Sequence, residues 1–401
     1  MTIPRMPRMF AAALAGILLI TLPALAQKQT GGSFAQLSRQ ADQARDAEDL
    51  DRAAALYRQA LAVNPRWTEG WWSLGTIQYD RNSYREAAQA FERVAALSPK
   101  NGTAFAMLGL CEFELGSDGA ALRNIRAGLE LGLQQDDSLR RVVLYHAGVL
   151  QLRQSKFSSA QQSLTQLAAA GAQEDRVALS LGMAVLLVHP AKLPPEGSLG
   201  YDVVHKAGQA ESLAAIKQTE EARKLYHAAI QEAPDFPNLH YAYGRFLLEL
   251  RETEPAVAEF QQEIRSNPRH VQANLEIAAV RYRVNSAEGL PYAQHAVALD
   301  PSLPFGHYLL GLLYLDTGSA GKAIPELEIA RKKFPNEAKV YFALGTAYAR
   351  QGRKAEAAQA RATFTRLNNQ HKHGDEPATY GQEPSGTDSQ RIGADTEHQP
   401  E

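Results

Sequence analysis

Apolar residues recur at helical spacing from Phe305 to Leu315, Gly318 and Gly321 interrupt them, and a second helical pattern runs from Ile324 to Lys333 before Pro335. The stretch reads as helix, short turn, helix, stop. Two antiparallel helices joined so closely meet only where side chains are small. The pattern therefore places Gly311 and Ala323 at the crossing, with Tyr314 and Leu327 filling the space beside it. Pro335 has no amide hydrogen and restricts the residue before it, so it ends the second helix. One such pair leaves an apolar face open to water and needs neighbours.

The neighbours follow the same spacing. Gly75, Ala87, Phe91 and Pro99 keep the offsets of Gly311, Ala323, Leu327 and Pro335, as do Gly244, Ala256, Phe260 and Pro268. Alanine replaces the first glycine in Ala41, Ala53, Tyr57, Pro65 and in Ala210, Ala222, Tyr226, Pro234. Gly109 with Ala121 and Ile125, Gly148 with Ala160 and Leu164, and Gly345 with Ala357 lose the proline, and Ala278 with Ala293 and Pro301 is one residue short in its turn. A period of about 34 residues with these residue types resembles the tetratricopeptide repeat from Phe34 to Asn369. The resemblance implies an all-α fold: a right-handed superhelical solenoid of antiparallel helix pairs, in which each unit packs only on its neighbours.

The parts outside the repeat are read from composition. Arg5 and Arg8 precede an apolar run from Phe10 to Leu22, Pro23 breaks it, and Ala24-Leu25-Ala26 supplies small residues, so 1–26 is expected to be a signal peptide cleaved near Ala26. The run is too short to span a bilayer, which takes roughly 20 apolar residues. The mature chain is expected in the periplasm or secreted, with 27–33 a linker. Cleavage removes Arg5 and Arg8 and no acid, making the chain two charges more negative than its full-length −2. With 42 Lys+Arg against 44 Asp+Glu, nothing global attracts nucleic acid. Cys111 stands alone, forms no internal disulfide, and is read as a small apolar residue of a first helix.

The register breaks once. Val177 to Val188 has the content of a first helix with no matching second helix after it, and 189–202 reads as an irregular loop through Leu193-Pro194-Pro195-Glu196-Gly197-Ser198-Leu199-Gly200. This gives an N-terminal block over 34–188 and a C-terminal block over 203–369, joined by a decayed repeat with a bend; a hinge or partner contact is the alternative. Residues 370–401 carry seven acids and little apolar surface, and are expected to stay disordered.

No chemistry of catalysis is visible. The chain has no GxxxxGK[ST], GxSxG, HExxH or CxxC, and its histidines are scattered over different units, where each is read as a surface or packing residue. No catalytic residue, cofactor or metal site is assigned. In the family, the first helix of each pair lines the inner groove, with side chains three before, one after and four after the small crossing residue. Those places hold Trp72 and Tyr79, Phe113, Tyr145, Tyr241 and Arg245, Tyr282, Tyr308, and Phe342, an aromatic and aliphatic stripe with one charge. Trp71, four before Gly75, is assigned to packing instead. The resemblance thus implies a scaffold for a protein or peptide partner, and export suggests assembly of a cell-envelope complex. The other class is a small-ligand or glycan binder with the loop Leu193 to Gly200 as a lid. Oligomeric state is left open.

Overall fold

The computed structural model describes residues 31–133 and 137–373. The expected leader over 1–26 and the tail from 374 onward lie outside the described residues. Among the described residues the chain is an all-α repeat solenoid without strands. It falls into two compact units that meet in sequence at Gln154 and Ser155. The first holds α1 (Gly31–Asp46), α2 (Leu50–Val63), α3 (Thr68–Asp80), α4 (Tyr84–Leu97), α5 (Gly102–Glu114), α6 (Asp118–Leu131) and α7 (Asp137–Arg153). The second holds α8 (Phe157–Ala169), α9 (Asp175–Val185), α10 (Leu199–Ala215), α11 (Thr219–Glu232), α12 (Leu239–Glu249), α13 (Thr253–Ser266), α14 (Val271–Val284), α15 (Ser286–Leu299), α16 (Pro304–Asp316), α17 (Ala320–Lys333), α18 (Ala338–Arg350) and α19 (Lys354–His373). Two boundaries shift outward from the sequence reading. The first helix begins at Gly31 rather than Phe34, and the last runs to His373, beyond 369.

The crossings are as tight as the spacing predicts. A methyl group added at Gly75 would lie 2.9 Å from Phe91, at Gly244 2.6 Å from Phe260, and at Gly311 2.6 Å from Leu327. The rings of Phe91 and Phe260 are fully buried against these points, and Tyr57 and Tyr226 are fully buried at the same place in the units of Ala41 and Ala210. Each buried side chain of this kind stabilises the pair by about 1.5–3 kcal/mol relative to exposure.

The turn inside each pair follows a rule that the sequence only half displays. The residue seven after the crossing residue is left-handed: Glu48, Asn82, Gly116, Ser155, Lys217, Arg251, Gly318 and Gly352 all have positive φ. The next amide then bonds five residues back, as from Asp49 to Ala44, Ser83 to Gln78, Glu252 to Leu247 and Ser319 to Tyr314. That bond is the Schellman closure of a helix C-terminus. Asn285 stands at the same place in the short unit but has φ −155, and it serves α14 and α15 as shared cap. The missing residue removes the left-handed step.

A second rule ties units together. The residue four before the crossing donates to the carbonyl of the proline region that ended the previous unit. Trp71 Nε1 to Pro65, His240 Nε2 to Pro234, His307 Nε2 to Pro301 and Tyr341 hydroxyl to Pro335 all span 2.9 Å. In two cases the other ring nitrogen meets a carboxylate of the paired helix, His240 Nδ1 with Glu259 at 2.6 Å and His307 Nδ1 with Glu326 at 2.5 Å. Each ring thus bridges a backbone carbonyl and a carboxylate. These histidines are buried hydrogen-bonding pins, and the reading of them as surface or packing residues is too weak.

The joint is not where the sequence places it. The stretch 189–202 lies inside the second unit, and only part of it is irregular. Pro190–Lys192 forms a 3₁₀ turn, and α10 starts at Leu199, four residues earlier than the expected Val203. Ser198 caps it, its hydroxyl accepting from the Tyr201 amide at 3.2 Å. α10 is the partner that α9 was thought to lack. A methyl group at Gly182 would lie 1.8 Å from the Val204 carbonyl oxygen, and one at Gly208 1.7 Å from that of Ala178. This approach is closer than at Gly75, Gly244 or Gly311. α10 therefore packs on α9 and also on α11, with 186–198 as the connection.

Candidate functional site

In the first unit the stripe residues lie half-buried on first helices. Trp72 on α3 meets Phe91 edge-on at 5.4 Å, and Tyr79 meets Tyr84 edge-on at 5.5 Å. Burial holds the Tyr79 phenol above its ordinary range. Phe113 on α5 carries the Arg153 guanidinium over its face at 4.7 Å, with the His146 ring edge-on at 4.5 Å. Tyr145 on α7 meets the same His146 at 5.6 Å. One histidine thus brings two predicted residues together, and Arg153 joins them. Cys111, two turns into α5, is fully buried, and burial pushes its thiol up to about 12.

In the second unit the picture divides. Tyr241 is 4% exposed, with its ring 4.7 Å from His270 and 5.8 Å from Phe260. Its assignment as a free groove residue is corrected: it is core. The reason lies in a polar hub at the start of α12. Glu263, from the end of α13, accepts the amides of Asn238 at 3.0 Å and Tyr241 at 3.4 Å. Asn238, itself left-handed, donates to the Leu186 carbonyl at 2.8 Å. The His270 ring accepts from the Ala273 amide at 3.0 Å and donates to Asn238 Oδ1 at 2.9 Å. Burial pushes that ring down to about 4, so it stays neutral. The hub draws α12 inward and takes Tyr241 with it.

The other three aromatics remain accessible in part. Tyr282 and Tyr308 are half-buried, and burial, with Tyr282 nearby, raises the Tyr308 phenol. Phe342 on α18 is 59% exposed, its ring 5.4 Å from Phe364 of α19. Arg245 is half-buried, its Nε 4.0 Å from Glu276. Sequence reasoning missed Glu211, which directly follows Ala210 and so holds the place that Arg245 holds after Gly244. The signal was present, since the unit was counted but its stripe was not read.

Two family models match the chain, both described as tetratricopeptide repeat, one at 38–101, 73–130 and 308–363, the other at 213–275. Together they span more than half of it. The chain belongs to the tetratricopeptide-repeat family. No curated protein matches it. Among solved structures, MamA from Desulfovibrio magneticus RS-1 aligns at 23% identity and TM-score 0.40, covering 45% of this chain and all of that one. Yeast Tom70 aligns at 11% identity and TM-score 0.32, covering 86% and 90%. The Cut9–Hcn1 assembly of the APC/C aligns at 12% and 0.33, covering 86% and 89%. Among the described residues of this tetratricopeptide-repeat chain, no group of three His, Cys, Asp or Glu is placed to hold a metal ion, and no helix is long and apolar enough to cross a membrane. In the loop read as a lid, Pro194 lies close to Gly200, where an added methyl group would be 3.0 Å from Pro194 and 3.4 Å from Phe236, while Pro195, Glu196 and Gly197 are exposed.

Proposed function

We propose that the protein is an exported scaffold that binds a protein or peptide partner through the stripe of its first helices and takes part in assembling a cell-envelope complex. The observation that carries this reading is Phe342. A large aromatic 59% exposed on a first helix, it holds the same repeat position as the half-buried Tyr308. Aromatic side chains on a rigid wall are the usual anchors of partner binding, and extended or helical peptides supply matching apolar groups. Tetratricopeptide-repeat proteins bind protein partners, which supports the class of function. The leader pattern of 1–26 supports export.

The test is crosslinking in intact cells followed by recovery from the envelope fraction and identification of what is joined to the chain. Recovery of a defined envelope protein supports the reading. Recovery of the chain alone, or only from the cytosol, overturns it.

A further inference from the structure

The second unit holds a buried carboxylate on a first helix. Glu211 on α10 is 9% exposed. Its two oxygens are held by different helices: Oε1 accepts from the Tyr226 hydroxyl of α11 at 2.6 Å, and Oε2 accepts from the Gln161 amide of α8 at 3.2 Å. Three helices thus meet at one side chain. The titratable groups around it are few. α8 carries no charged residue, and α9 has only Asp175 and Arg176, in its first turn, where Asp175 faces His205 rather than Glu211. α11 presents Tyr226, which stays protonated. α12 presents Glu249, which repels Glu211, and Arg245, which attracts it less strongly and is also drawn to Glu276.

We propose that Glu211 is a proton-sensitive latch at the junction of α8, α10 and α11, closed while its carboxyl is neutral and loosened, with Glu249 opposing it, when the carboxyl is charged. Two facts support it: Glu211 is 9% exposed, and the two donors on its carboxyl, the Tyr226 hydroxyl and the Gln161 amide, are neutral groups. Burial first, and Glu249 second, push the Glu211 carboxyl from 4.5 up to about 7. A group raised in this way lends stability that is complete below its ordinary value and lost as pH rises through the folded one. The two hydrogen bonds, donated to the carboxyl oxygens, favour the charged form and offset part of this rise without reversing it. Any effect on partner binding rests on the stripe reading, because α10 supplies the same first-helix face; the latch itself does not, and its test uses stability alone.

The experiment is denaturant unfolding of the full chain and of Glu211→Gln at pH 5, 6, 7 and 8. Glutamine keeps the shape and one acceptor oxygen for the Tyr226 hydroxyl, and its amide NH2 stands where the neutral acid has its hydroxyl, so that Gln161 can turn its own oxygen toward it. The expected result is equal stability near pH 5, then an advantage for Glu211→Gln that grows up to tenfold in the unfolding equilibrium per pH unit and levels off above 7. Parallel curves, or a variant less stable at every pH, overturn the latch. Should Glu211→Gln fail to fold, amide protection factors of the natural chain decide. Protection in α10 and α11 is expected to fall from pH 6 to 8 relative to α16 and α17, and an equal change in both regions overturns the proposal.

Discussion

At the scale of residues, function and stability separate by what each polar group faces. His307 bonds Pro301 on one side and Glu326 on the other while 4% exposed. Replacing it with alanine removes the partner of the Pro301 carbonyl and of the half-buried Glu326 carboxylate and leaves a gap where the ring was buried. His307→Ala is expected to cost about 2–3 kcal/mol in denaturant unfolding, and a loss below about 1 kcal/mol would show that water takes its place. These pins were not legible in the sequence. Histidine is compatible with surface, core and ligand roles alike, and the carbonyl it binds carries no side-chain signal. What was legible is that Trp71 holds the same place and packs, and its indole indeed bonds Pro65. Tyr241 was misread for a related reason. Its offset matches Tyr308, but Glu263 gathers the amides at the start of α12 from a place far along the chain, and no local pattern announces that.

At the scale of elements, the helix pairs were legible because glycine, alanine, an aromatic residue and proline each act through local geometry. The left-handed turn residue was visible only where it is glycine, as at Gly318. Glu48, Lys217 and Arg251 adopt the same conformation against their preference, which costs roughly 1–2 kcal/mol for an ordinary L-residue. Arg251→Gly is therefore expected to raise stability by about 0.5–1 kcal/mol, less the entropy a glycine adds to the unfolded chain. A melting midpoint that falls would mean the arginine side chain holds more than the turn does. The α9–α10 pair was not legible, because the connection is long and proline-rich and the contact uses two glycines outside the repeat frame. Gly208→Ala drives a methyl group onto the Ala178 carbonyl, and the backbones must part. The expected loss is about 3 kcal/mol or more, reported by circular dichroism melts. A variant as stable as the natural chain would contradict so close an approach.

At the scale of the molecule, each unit is stabilised chiefly by its neighbours, so damage at one pair spreads to the next rather than staying local. Partner binding asks something different of the surface, namely apolar side chains that the frame does not use. The sequence names that stripe as a set of positions, and the structure sorts its members by burial: Tyr241 belongs to the core, while Tyr308 and Phe342 keep exposed surface. The distinction depends on how closely adjacent helices pack, which a single sequence does not state. The most direct measurement is the affinity of the crosslinked partner for the natural chain, Phe342→Ala, Tyr308→Ala and Tyr241→Ala, with thermal melts on all four. The account predicts that Phe342→Ala and Tyr308→Ala weaken binding by about 2 kcal/mol with little change in melting, and that Tyr241→Ala lowers the melting midpoint. Normal binding by both Phe342→Ala and Tyr308→Ala, in protein that melts like the natural chain, would contradict it.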